Sequence, residues 1–105
     1  MLIIEYSSYG IAVSDYQCEE KALSLFNSHN DQDILCVSTD NIITAFKMLV
    51  AEGVIPPSEI AFKYRTHHLT ISHDGQISKY PSGFCDFEEK LLYRILKARR
   101  GLSKN

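Results

Sequence analysis

Apolar residues recur along the chain in two alternating periods. "LIIE" at 2–5 is a short run with adjacent isoleucines, the pattern of a strand buried on both faces. From about 15 to 28, Cys18, Ala22 and Leu25 with Leu23 and Phe26 form a helical stripe, and Ser14 with Gln17 has capping-box spacing. "ILCVS" at 34–38 is a second strand, which the strand, helix, strand order places beside the first through a parallel crossover. The next helix is the best defined. Ile42, Ile43, Phe46, Leu49 and Val50 share one face, Asp40 stands at the cap position, Gly53 supplies a left-handed stop, and Pro56-Pro57 forbid continuation. "EIAFKY" at 59–64 alternates as a strand, and Asp74-Gly75 predicts a type I′ hairpin turn between alternating flanks. Asp86 and Glu89 open a last helix, with Phe87, Leu91, Ile95 and Ala98 on one side and an end near 98.

These elements predict an α/β fold: a mainly parallel core sheet with a βαβ crossover, a C-terminal antiparallel hairpin and three principal helices. A chain of 105 residues suits one domain, folded over about 1–98 with a basic flexible tail at 99–105. With 45% hydrophobic and 23% charged residues, the composition is that of a chain able to bury a core. A formal charge of -2 argues against bulk electrostatic binding of nucleic acid, and the cations of "KARRGLSKN" suit the end of a helix. The N-terminal apolar run is too short for a signal peptide, and no stretch approaches the roughly 18 apolar residues of a membrane span, so a cytoplasmic protein is expected.

Candidate chemistry is sparse. Cys18, Cys36 and Cys85 are far apart, spell no zinc or redox motif, and read as reduced, partly buried thiols. On one strand His67 and His73 would lie about 20 Å apart and His68 would point the other way, so "HHLTISH" reads as polar strand residues. The chain has neither a nucleophile elbow nor a phosphate-binding loop. Glu5 stands out because acids at the carboxyl ends of parallel strands often face ligand crevices; a strand-end carboxylate in water is the competing reading. Tyr80, Phe84 and Phe87 around "PSGFCDF" are candidate interface anchors, with Phe84 also suited to plug the core under the last helix.

From residue 37 to about 96, the chain resembles the C-terminal part of ABC-type ATPases of the OLD-like and Septu-like kind, which occur in phage-defence systems. In that family a switch strand runs into a helix, then a "VAEGxIxPEDV" turn, a strand, a hairpin with "DG", and a "WPxGFFD" segment before a final helix. Here "STDNIITAFKMLVAEGVIPPSEIAFKY" is followed by "HDGQISKYPSGFCDFEEKLLYRIL". "LIIEYSS" is similar to the family's Walker B strand. The resemblance matches Glu5 to the magnesium-side acid and keeps Asp40 of the switch, but Ser7 stands at the catalytic glutamate and Ser38 at the switch histidine. The Walker A loop and signature region have no counterpart.

The resemblance therefore implies a scaffold without the groups that hold a nucleotide and activate water. It is not expected to be an enzyme and calls for no cofactor; Glu5 and Asp40 are the residues that would meet one. The expected role is a protein-interaction module that regulates or completes a defence-type ATPase complex, with the ATPase or its nuclease as partner and a homodimer as another possibility. Pro56 and Pro57 join the aromatic residues as expected interface positions. Two alternatives stay open, a phage- or mobile-element-encoded inhibitor mimicking that lobe and a small nucleotide-binding sensor.

Overall fold

In a computed structural model, residues 1–30, 33–78, 81 and 94–100 are described. Four strands form one mixed sheet in the order β2-β1-β3-β4: β1 Leu2–Ile11, β2 Ile34–Val37, β3 Ile60–Tyr64 and β4 His67–Leu69. β1 is central and runs parallel to both neighbours, while β4 is antiparallel to β3. Helices α1 (Cys18–Ser28) and α2 (Asp40–Ala51) pack on each other, and residues 94–100 are helical, past the expected end near 98. The α/β class, the mainly parallel sheet and the crossover read from the sequence are thus present. Among the described residues no helix is long and apolar enough to cross a membrane.

The core follows from strand alternation. Leu2, Ile4, Val37, Ile60 and Phe62 are fully buried, and α2 adds Ile42, Ile43, Phe46, Leu49 and Val50. Each such large side chain contributes about 1.5–3 kcal/mol by leaving water. α1 is less deeply seated, because only Ala22 is fully buried while Leu23, Leu25 and Phe26 pack at the margin. The intervening positions of the sheet differ from the expected burial on both faces. Ile3, Glu5, Cys36, Ala61 and Lys63 are half-buried and Ile34 is exposed, so the second face is partly wet.

The stop of α2 is built as the pattern predicted. Gly53 has φ 79, its N–H bonds to the Val50 carbonyl at 3.0 Å, and the Val54 N–H bonds to the Leu49 carbonyl at 2.9 Å. This pair of bonds is the Schellman closure, which satisfies carbonyls that the helix end would otherwise orphan. The starts differ. Thr39, not Asp40, is the N-cap of α2, and its side chain makes no cap bond because it serves the loop before α1 instead. Ser14 likewise makes no side-chain cap bond; Asp15–Gln17 form a 3-10 turn before α1, held by the Ser14 carbonyl and the Gln17 N–H at 3.0 Å.

The Asp74-Gly75 turn is also corrected. Among the described residues, the one non-glycine with positive φ is Arg65, so Asp74 lacks the positive φ that a type I′ turn requires. Ser72 pairs with Gln76, Gly75 N–H bonds to the Ser72 carbonyl, and Gly75 has φ 80, giving a loop of His73, Asp74 and Gly75 with glycine in the left-handed position. Asp74 draws this geometry together: its carboxylate accepts bonds from the Ser72 hydroxyl and the Gln76 N–H. The Ser72 hydroxyl is the main reason the Asp74 carboxyl ionises more readily than usual. His73 thus belongs to a turn rather than to the strand that carries His67 and His68.

The Gly75 turn rests on α2, where an added Cβ would stand 2.6 Å from the Lys47 carbonyl oxygen and 3.0 Å from the Ala51 Cβ. Gly53 has a similar φ but open space around it. Gly53→Ala should therefore cost about 1 kcal/mol for the left-handed backbone alone, and Gly75→Ala about 1–3 kcal/mol more for overpacking. Urea denaturation of the two variants checks this; equal losses would mean that the turn is not seated on the helix.

Candidate functional site

The carboxyl ends of the parallel strands bring together polar groups from several elements, among them Glu5, Ser7, Arg65, Asp15, Thr39 and Asn41. Strand order reverses there, because the chain leaves β1 toward β2 on one side and reaches β3 on the other. In open α/β sheets this is the usual place for a ligand crevice. Two hollows meet at Tyr6. One, of about 410 Å³, lies between the ends of β1 and β3 and is lined by Glu5, Tyr6, Ser7, Ser8, Tyr64 and Arg65. The other, of about 550 Å³, is lined by Tyr6, Val13, Ser14, Asp15, Thr39, Asp40 and Asn41.

Glu5 lies in register with Cys36 on one side and Lys63 on the other, which puts all three side chains on the same face. Lys63 Nζ stands 3.3 Å from Glu5 Oε2, and the Cys36 thiol donates to Glu5 Oε1 at 3.4 Å. This part-exposed ion pair contributes less than about 1 kcal/mol to stability, but it compensates the carboxylate's charge. Cys36 responds to its setting: burial, then the hydrogen bond and charge of Glu5, push its thiol above the ordinary range, with Lys63 opposing. The neutral thiol is the form the fold favours. Its contribution to stability is complete below the ordinary thiol pKa and is lost as pH rises through the elevated folded value.

This arrangement has a measurable consequence. In Glu5→Gln, the pH midpoint for alkylation of Cys36 by iodoacetamide should fall, yet remain above that of an exposed thiol because burial is the larger cause. Lys63→Met should move the midpoint up. Peptide-level mass spectrometry across pH would read both, and an unmoved midpoint in Glu5→Gln would show that the two side chains do not interact in solution.

A polar clamp organises the second hollow. Asn41 Nδ2 donates to the Val13 carbonyl at 2.6 Å and to Asp15 Oδ1 at 2.8 Å. Thr39 Oγ1 donates to Asn41 Oδ1 at 2.7 Å and accepts from the Val13 N–H at 3.2 Å. The start of α2 is thereby tied to the chain leaving β1. Ser38 adds to this by donating its N–H and hydroxyl to the Ile11 carbonyl at 2.8 and 3.1 Å.

Between these anchors β1 makes an excursion. Tyr6 and Ile11 both register with Val37, so residues 7–10 bow out at the rim of the first hollow. Gly10 passes so close to β2 that an added Cβ would sit 2.4 Å from backbone atoms of Val37. Tyr9, at the crest, is 96% exposed. Across the hollow, the Tyr6 and Tyr64 rings stand 6.0 Å apart at 47°, and the Arg65 guanidinium lies 5.4 Å from the centre of the Tyr64 ring.

Of the residues singled out by sequence, Glu5 and Asp40 reach the carboxyl end of the sheet but line different hollows. Pro56 is exposed and Pro57 half-buried, beside the start of β3 and so at the opposite end of the sheet. Tyr80, Phe84 and Phe87 lie outside the described residues, as does Cys85; Cys18 and Cys36 are half-buried free thiols. His67 and His68 are exposed on β4. The site also uses Tyr6, Tyr64, Arg65, Thr39 and Asn41, whose meeting depends on strand register rather than on any local motif. No protein-family model, curated protein or solved structure matches the chain.

Proposed function

We propose that the chain is a non-enzymatic, cytoplasmic protein-interaction module that regulates or completes a defence-type ATPase assembly. The observation that carries this reading is the exposure of large side chains in the last residues of the central strand and just after it: Tyr9 at 96%, Ile11 at 42% and Tyr16 at 83%. Aromatic residues offered in this way are the usual anchors of protein interfaces. The chemistry of the strand ends supports it too. Ser7 and Ser38 carry neither base nor cation, and Glu5, the one acid lining the first hollow among the described residues, is paired with Lys63. Phosphoryl transfer needs a group that orients the attacking water, and Ser7 and Ser38, at the positions the resemblance matches to the catalytic glutamate and the switch histidine, supply none.

The test is an affinity-tagged pull-down from the native cell, read by mass spectrometry, with a Tyr9→Ser, Tyr16→Ser double variant beside the wild type. Both positions are exposed, so the variant should fold with little change in stability. An ATPase or its nuclease should be enriched with the wild type and lost with the variant. Recovery of neither with the wild type would sink the proposal.

A further inference from the structure

The hollow between β1 and β3 has a chemistry of its own, separate from the exposed tyrosines at 9 and 16. The geometry points to a binding site there for a small aromatic anion, a planar ring carrying a carboxylate or phosphate. Its volume of about 410 Å³ lies within the roughly 300–1,000 Å³ of small-molecule pockets, and it opens where strand order reverses. Tyr6 and Tyr64, tilted at 47° with ring centres 6.0 Å apart, make a wedge whose faces and edges suit a further ring in offset or edge-to-face contact.

The charge of the hollow selects the sign of the ligand. Among the described residues, two charged ones line it, Glu5 and Arg65. Glu5 is compensated by Lys63, which leaves the guanidinium to meet a counter-charge. That guanidinium is already placed: it lies over the Tyr64 ring, and stacking of this kind restricts the rotamers that binding would otherwise have to freeze. Its backbone is held as well. Arg65 has φ 56, a region that non-glycine residues seldom occupy, and the pairing of Tyr64 with His67 across the turn maintains it. A planar fork of donors is the group best matched to a carboxylate or phosphate, and the Ser7 and Ser8 hydroxyls on the facing rim can add hydrogen bonds.

The experiment is a titration of the ¹⁵N-labelled full chain with benzoate and with phenyl phosphate, followed by two-dimensional NMR, with benzamide and inorganic phosphate as half-ligands. At least one of the aromatic anions should shift the amides around Tyr6, Ser8, Tyr64 and Arg65 saturably. Benzamide, which keeps the ring without the charge, and phosphate, which keeps the charge without the ring, should each bind about tenfold more weakly or worse. Arg65→Asn removes the guanidinium and keeps a residue that tolerates the left-handed backbone, so it should lose about tenfold in affinity with an otherwise native spectrum. Equal binding of benzamide, shifts centred elsewhere, or undiminished binding by a folded Arg65→Asn would each overturn the assignment. The wild-type comparison with benzamide decides the matter even if that variant does not fold.

Discussion

Gly10→Ala should lower the stability of the protein by about 3 kcal/mol, at the upper end of what overpacking costs. The added methyl would stand 2.4 Å from the N and C atoms of Val37 and 2.6 Å from the backbone carbon of Cys36. These are backbone atoms, with no flexible side chain that could swing aside. Val37 is fully buried and registers with both Tyr6 and Ile11, so β2 cannot retreat without opening the core on one side and the end of β1 on the other. With a urea m-value of about 1–3 kcal/mol per molar, the midpoint should fall by about 1–3 M while m stays constant. A loss below about 0.5 kcal/mol would show that the 7–10 excursion does not rest on β2.

Phe46→Ala should cost still more, about 3–5 kcal/mol. Phe46 is the largest side chain of α2, is fully buried, and belongs to the same cluster as Ile4, Phe62 and Ile42. Truncation leaves a void in close-packed surroundings, and the loss is large against the roughly 5–15 kcal/mol that holds a domain of ordinary stability together. Phe46→Leu, which refills much of the volume, should cost less than half as much. Thermal and urea unfolding of the pair checks the ranking. Similar losses in both would mean that the site relaxes around the change, so that α2 is less firmly seated than its burial implies.

These two sites differ in how legible they were. Phe46 could be placed from sequence because its neighbours Ile42, Ile43, Leu49 and Val50 repeat with the helical period and Gly53 closes the segment, both of which are local signals. Gly10 could not. Its role arises from two residues of β1 sharing one partner on β2, and register between strands distant in sequence is a property of the assembled sheet. The same division runs through the candidate site. Glu5 was visible as an acid ending an apolar run, whereas its partners Lys63 and Cys36 come from two other strands and leave no mark near it. Arg65 was hidden for a related reason, since nothing in "KYRTHH" announces a left-handed arginine in the way a glycine would. Asp74-Gly75 misled in the other direction. The pair marks a turn correctly, but the Ser72 hydroxyl and the Gln76 N–H both bond to the Asp74 carboxylate and draw the loop into a longer form. Thr39 and Asn41 displaced the expected Asp40 cap because their side chains bind the Val13 to Asp15 segment instead.

The excursion of β1 separates two things that a continuous strand keeps together. In an uninterrupted strand, one inserted residue would turn every later side chain to the opposite face. Here the chain leaves the ladder opposite Val37 and rejoins it opposite Val37, so the stretch between behaves as an independent cassette. Residues added between Ser8 and Tyr9 would lengthen the crest, at about 0.6 kcal/mol for each doubling of loop length, while Glu5 and Ser38 kept their partners. The rim of the crevice can therefore diversify in length and sequence on a sheet whose register does not change, provided Gly10 remains at the return.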